Sequence, residues 1–279
     1  MLPSGKPGGD AFIRVRGATS VLAGNDPLFV IDGVPTTSMQ ALNPQDIETV
    51  QVLKDASSAA IYGARAANGV VIITTKHAKA GVASVSVNSY MGFSNLANSL
   101  DVLNTEQYRE LMDEVKGPGT VPTSQTNYTN WIDETFSTGQ IQNYQVSVSN
   151  GTEKMKYYFS AGFSDEKGIV KPAENKKYTI RTNINSDLFK WLKFGTNISF
   201  IHNWYNDVSD NANSGRAGTI LSAINTPPFL HIWDPNNPEQ YEVNPFQNSW
   251  ENPLAYASRI NQSKTERVLA NANTEITFL

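Results

Sequence analysis

The sequence predicts an α+β unit followed by antiparallel strands of a transmembrane β-barrel, and three observations carry that prediction. Short β-prone runs punctuated by Gly, Pro and Asn fill the first 80 residues. From about residue 83 the chain alternates apolar and polar side chains in runs of roughly ten, the length a tilted membrane strand needs. The connections between those runs alternate long and short.

In the first unit, residues 1–80, β-prone runs lie at 12–15, 28–31, 50–53 and 70–75. Between the last two, 57–62 predicts a short helix. Asp55 or Ser57 can accept backbone N–H groups of its first turn, and Gly63 can take the left-handed conformation that ends it. Pro27 sets the entry to a strand, Gly33 permits the turn after Asp32, and Pro35 is expected to stop the strand from continuing.

Residues 81–279 hold six alternating strands. Their apolar sets are Val85, Val87, Met91 and Phe93, with Tyr90 out of step; Tyr144, Val146 and Val148; then Met155, Tyr157, Phe159, Ala161 and Phe163. Next come Tyr178, Ile180 and Ile184; Leu192, Phe194, Ile198 and Phe200; and Val268, Ala270, Ala272, Ile276 and Phe278. The connections at 94–139 and 205–264 are long, 165–176 is intermediate, and 150–154 and 186–190 are tight. Outer-membrane barrels have this parity, with short periplasmic turns and long extracellular loops.

Alternation alone also suits a soluble β-sandwich. Two features favour a barrel: aromatics gather near strand ends, as in Phe93, Tyr144, Phe163, Trp191 and Trp204, and the opposite face is largely Ser, Asn, Gly and Gln. Composition narrows the function classes. With 22 Lys plus Arg against 26 Asp plus Glu, and no basic block, nucleic acid is excluded as an expected partner. There is no cysteine, so disulfides, thiolate metal sites and a cysteine nucleophile are excluded. The apolar stretches are far below the ~20 residues a membrane helix requires. The histidines His77, His202 and His231 are scattered, adjacent carboxylates such as Asp133 and Glu134 diverge, and no hydrolase or phosphate-loop motif occurs, so no enzyme and no cofactor is expected.

The segment Asp26-Pro27-Leu28-Phe29-Val30-Ile31-Asp32-Gly33-Val34-Pro35, the stretch LNPQDIETVQVLKDASSAAIYGARAANGVVIITTK at 42–76, and the preceding Phe12-Ile13-Arg14-Val15-Arg16-Gly17 together resemble the plug domain of SusC/RagA-family TonB-dependent transporters, typical of Bacteroidetes. Asp26, Pro27, Asp32, Gly33, Pro35, Gly63, Asn68 and Gly69 carry the motif. Downstream, Tyr158 to Phe163, Lys167 to Val170 and Lys190 to Gly195 resemble early barrel strands of that family.

The resemblance implies a barrel of about 22 strands around the plug, a class of plugged large barrels. It also implies import of an oligosaccharide or peptide across the outer membrane, driven through the TonB complex, with a SusD-like surface lipoprotein as partner and lipid around the wall. A TonB-dependent siderophore or vitamin receptor is the alternative within transport; a soluble β-rich glycan-binding surface protein is the alternative outside it. Six strands cannot close a barrel, so the chain is expected to be a fragment: most of a plug truncated at its N-terminus, then the first wall strands, with signal peptide and TonB box upstream.

The resemblance further implies that plug arginines latch the plug to acidic residues of the wall; Arg65 leads, followed by Arg14 and Arg16, and solubilising exposed turns is the competing use of these arginines. In the last long loop, Trp204, Tyr205, Trp233 and Trp250 are candidates for stacking on sugar rings, among amides that suit hydroxyls; packing of the loop itself is the competing use of such aromatics. Asp207 and Asp210 form a weak Ca²⁺ candidate without EF-hand spacing, so no metal is expected.

Overall fold

The structure, a computed structural model, describes residues 6–9, 13, 26–53, 60–81, 83–98, 100–208, 218–245 and 251–278. The N-terminal unit is built on a four-stranded sheet of order β2-β1-β4-β3. Strand β1 (Leu28–Ile31) runs parallel to β4 (Val70–Thr75) and antiparallel to β2 (Val34–Thr36), while β3 (Ile47–Leu53) pairs antiparallel with β4. The two central strands read LFVI and VVIITT because both of their faces are covered, as parallel pairs require. Phe29, Ile31, Val71 and Ile73 pack on one face with Leu42, and Leu28, Val30 and Val70 pack on the other with Ala66. Each fully buried Ile or Val here contributes ~1.5–3 kcal/mol.

The β1–β2 hairpin turns on two residues, Asp32 at φ 46° and Gly33 at φ 85°, the sign that a type I′ turn demands at both positions. Pro35 does not end the strand. It lies inside β2, opposite Val30, and is tolerated because β2 is an edge strand whose outer side needs no N–H. The predicted helix is also displaced. A 3-10 segment spans Ala60–Ala66, and Gly63, at φ 66° and ψ −156°, leaves the helical region for one residue and splits it into two short turns instead of ending it. Of the expected strand at 12–15 only Ile13 lies within the described residues, where it packs against the sheet core.

The rest of the chain is organised by a six-stranded antiparallel ribbon of order β12-β9-β8-β7-β6-β5. Its members are β5 (Ser84–Ser94), β6 (Gly139–Gly151), β7 (Met155–Lys167), β8 (Glu174–Phe189), β9 (Leu192–Asn206) and β12 (Gln262–Ile276). At 11 to 16 residues they outrun the expected length, so every connection is shorter than predicted while the long-short parity stays.

The ribbon is inside out compared with a soluble sheet. Val85, Val87, Val146, Phe159, Ile180, Ile198 and Val268 are exposed on one face, whereas Gln145, Ser160, Thr179, Arg181, Asn183 and Ser199 are buried on the other. No second sheet covers the apolar face among the described residues, and a sandwich would require one. Tyr144, Phe163, Tyr178 and His202 stand side by side across four strands and mark one edge of the apolar band. Phe189, stacked on Trp191 at 5.4 Å, marks the other. Along β8 those edges are about eleven residues apart; at ~3.4 Å per residue and a tilt near 40° the band is ~25–30 Å tall, the height of an outer-membrane hydrophobic girdle.

The two long connections fold against each other at the opposite end from the tight turns. The first holds α1 (Thr105–Lys116), started by a capping box between Asn104 and Gln107, and α2 (Trp131–Thr135). The second holds α3 (Thr219–Asn225), the hairpin of β10 (Trp233–Asp234) and β11 (Asn237–Tyr241), and α4 (Pro253–Ala257). Met112, Val121, Trp131 and Ile132 of the first share one core with Ala223, Phe229 and Leu230 of the second. The Trp131 indole N–H donates to the Pro227 carbonyl at 3.0 Å, so the loops form a single cap.

Candidate functional site

The N-terminal sheet lies on the polar face of the ribbon, and the seam between them is the site with the densest polar chemistry. Two carboxylates organise it. The I′ turn aims the Asp32 carboxylate back at β4, where its Oδ1 accepts from Thr75 N–H at 3.0 Å and its Oδ2 from the Thr75 hydroxyl at 2.7 Å. Across the seam Arg181 of β8 donates from Nη2 to Asp32 Oδ2 at 2.8 Å and also to the Thr75 hydroxyl. The pair is sealed, with side chains 3% and 8% exposed. Asn271 of β12 donates to the Asp32 carbonyl at 2.9 Å. Burial works against the charged form of Asp32, but hydrogen bonds from Arg181 and Thr75, with the guanidinium charge, outweigh it and hold the carboxyl below its ordinary value.

The second anchor is Asp46, 2% exposed, at the end of a 3-10 turn (Pro44–Asp46) that Asn43 caps and Pro44 starts. Its Oδ1 accepts from Gln145 of β6 at 2.6 Å and from the Tyr158 hydroxyl of β7 at 2.9 Å. Gln45 donates to Asn143 at 2.9 Å, and Asn43 meets Thr179 at 3.4 Å. Gly162 makes this approach possible: a Cβ there would lie 2.7 Å from both the Asn43 amide and the Thr179 hydroxyl. The seam is therefore mostly hydrogen-bonded, with one buried ion pair and an apolar contact where Leu269 of β12 packs against the sheet core.

The charge pair runs from a carboxylate of the N-terminal unit to an arginine of the ribbon, the reverse of the polarity expected for the latch. Arg65 is exposed on the 3-10 segment and forms no ion pair among the described residues. Arg14 and Arg16 lie outside those residues. Of the motif residues, Asp32 enters the seam directly. Pro27 is buried, Asp26 is exposed, Asn68 reaches the Asp26 carbonyl at 3.4 Å, and Gly69, at φ 96°, accepts from Leu28 N–H at 3.0 Å, which joins the starts of β1 and β4.

The loop aromatics are not brought together. Trp204 shares the outer face with Ile198, under the Lys176 ammonium at 5.3 Å; Tyr205 shares the inner face and its hydroxyl meets Asp207. Trp233 is stacked on Tyr241 at 4.4 Å with about half its surface free, and Trp250 lies outside the described residues. Asp207 pairs with Lys6 at 3.3 Å, Asp210 is outside the described residues, and no cluster able to hold a metal occurs among those described. Arg181, Asp46, Gln145, Tyr158 and Thr75 were missed from sequence. The usable signal was Arg181, a lone arginine in the middle of an alternating strand's polar face, where an ionisable group at membrane depth needs a partner.

The TonB-dependent Receptor Plug Domain family matches residues 1–70. The chain is 38% identical to TonB-dependent receptor SusC of Bacteroides thetaiotaomicron, over 90% of this chain and 27% of that protein. It is 34% identical to TonB-dependent receptor P3 of Formosa agariphila, over 99% of this chain and 27% of that one. The fold superposes on the RagAB peptide importer in its open-open state with a TM-score of 0.82, covering all of this chain and 35% of the other, at 24% identity. The chain thus spans about a quarter of the length of the curated relatives it matches. A plug-like sheet fastened to the polar face of an inside-out ribbon, and relatives aligned along nearly the whole chain, place it among the SusC/RagA-type TonB-dependent receptors, a family of outer-membrane β-barrel proteins of Gram-negative bacteria.

Proposed function

We propose that this chain supplies the plug (residues 1–80) and the first wall strands (81–279) of an importer that moves an oligosaccharide or a peptide across the outer membrane. Movement is driven by TonB, and a SusD-like lipoprotein meets the long-loop end. The observation that carries the reading is the seam itself. A plug that must leave its seat repeatedly cannot be held by an apolar core, which would expose its faces to water on every cycle. Hydrogen bonds can be exchanged for water, each at a net cost of ~1 kcal/mol. The 94–139 and 205–264 connections then face the outside of the cell, and Trp233, half exposed on its hairpin, is the loop aromatic best placed to stack on cargo. The RagAB likeness favours a peptide and the amide-rich loops favour a glycan, so both cargo classes are tested.

The deciding experiment measures uptake of a fluorescent oligosaccharide and of a fluorescent peptide by cells that carry the full-length receptor, with and without TonB. Import of either one that disappears without TonB is the expected result. Import of neither, or import indifferent to TonB, refutes the proposal.

A further inference from the structure

Ahead of the plug sheet, Lys6, Pro7, Gly8 and Gly9 form a turn that lies on the wall. Gly9 N–H donates to the Lys6 carbonyl at 3.2 Å, Pro7 occupies the second position and Gly8 has φ 64°, as a type II turn requires at its third. Contacts at each of its first three residues hold the turn. Gly8 N–H donates to Glu166 Oε2 of β7 at 2.8 Å, the Lys6 ammonium pairs with Asp207 just beyond β9 at 3.3 Å, and Pro7 is buried beside Gly168, where a Cβ would come within 2.9 Å of its ring. None of these contacts involves Asp32 or Asp46.

What lies beneath the turn argues against permanent closure. Asn175 is 4% exposed, and its Oδ1 has no hydrogen-bond partner. Gly8 sits so close that a Cβ would lie 2.4 Å from that amide, so the turn is what seals it. A covered, unpaired acceptor disfavours the closed state until water or a ligand reaches it. The Lys6–Asp207 pair that favours closure is 35% and 25% exposed, and solvent screens it. Gly8 and Gly9 also form one side of a cavity of about 260 Å³ between plug and wall, lined by Leu42, Ile47, Tyr90, Ile141 and Ile201.

We propose that the Lys6–Gly9 turn is a strap that opens independently of the plug body. Opening exposes the Asn175 acceptor and the adjoining cavity to a ligand rich in hydroxyl or amide N–H donors, and such a ligand keeps the strap open. The nature of the ligand rests on the import reading; the opening does not.

Hydrogen exchange, read by mass spectrometry on the full-length receptor in lipid nanodiscs, tests the strap without any ligand. The Gly8 and Gly9 amides should exchange at least ~100-fold faster than those of β1 and β4, because they open locally while the sheet opens only with the plug. Glu166→Gln should raise the Gly8 rate by roughly another tenfold, the value of one charge-assisted bond, and leave β1 unchanged. Gly8→Ala, which drives a methyl into Asn175, should do the same. Exchange at Gly8 as slow as in β1, or a Glu166→Gln variant that accelerates strap and sheet together, overturns the proposal. Loss of TonB-dependent uptake with the exchange pattern intact would defeat the import reading and leave the strap standing.

Discussion

Replacing Arg181 by methionine in the full-length receptor removes the guanidinium and keeps most of the side-chain volume. It strands the Asp32 carboxylate, 8% exposed, with only the two Thr75 donors. Breaking a buried ion pair from one side costs ~3–5 kcal/mol. A second route gives a ceiling: Asp32 can escape by taking a proton, and keeping a carboxyl of ordinary pKa near 4 neutral at pH 7 costs ~4 kcal/mol, at ~1.4 kcal/mol for each of about three pH units. Both routes put the loss at ~3–4 kcal/mol. In Asp32→Asn with Arg181→Met neither charge remains, and asparagine tolerates the positive φ of the turn, so the loss should shrink to ~1–2 kcal/mol. The assay is the urea concentration at which conductance through the reconstituted receptor rises as the plug leaves its seat, measured for wild type, both single variants and the double variant. A coupling of at least ~2 kcal/mol is expected from contacting charges. Additive losses, or an Arg181→Met midpoint equal to that of wild type, would show that the pair does not hold the plug.

Acid should weaken the same latch. The folded pKa of Asp32 lies below its ordinary value, so its contribution is complete above about pH 4 and is lost as pH falls through the lower folded value. Conductance should therefore be flat from pH 8 to 5 and rise below about pH 4, and in the Asp32→Asn receptor that acid rise should be smaller. Ile184→Arg, on the outer face in the middle of the apolar band, should cost ~2–4 kcal/mol in refolding titrations into lipid vesicles, and an unchanged titration would mean that this face does not meet lipid. Trp131→Ala empties the shared core of the two loops and forfeits the bond to Pro227, a loss of ~3–5 kcal/mol that should make 95–138 and 218–261 protease-sensitive together while the ribbon stays resistant.

The ribbon was legible in the sequence because each of its strands obeys one local rule. Alternation at period two places Val146 outward and Gln145 inward whatever the neighbours do, so the facing of each strand follows from the chain alone. The central plug strands were legible for a related reason, since an apolar run bounded by Gly and Pro has few other uses. The α1 helix went unread, although Asn104 and Gln107 stand at capping-box spacing; its apolar stripe is thin because only Tyr108 and Met112 face the loop core. Pro35 was misread because local stiffness was taken to outrank position, and an edge strand reverses that order. The seam was least legible. Asp32 and Arg181 are 149 positions apart, and nothing local distinguishes Arg181 from a solvated arginine until the fold sets a carboxylate against it.

The reversed polarity of the latch has a mechanical consequence. A guanidinium cannot shed its proton, whereas a carboxylate can, and here the fixed charge belongs to the wall and the adjustable one to the unit that the import proposal sets in motion. On that proposal a departing plug carries Thr75 along with Asp32, so the carboxylate keeps two hydrogen bonds as it enters water. Arg181 is left facing a lumen lined by Ser160, Asn183 and Ser199, polar groups that ease its hydration. Arg181 stays charged in the empty seat, so it attracts a returning Asp32 wherever that carboxyl is ionised. The buried pair then acts on reseating as much as on holding. Arg181→Lys separates those roles, because an ammonium retains the charge but not the planar guanidinium whose Nη2 reaches both Asp32 and Thr75: the urea midpoint should fall, while conductance after urea removal should recover faster than in Arg181→Met.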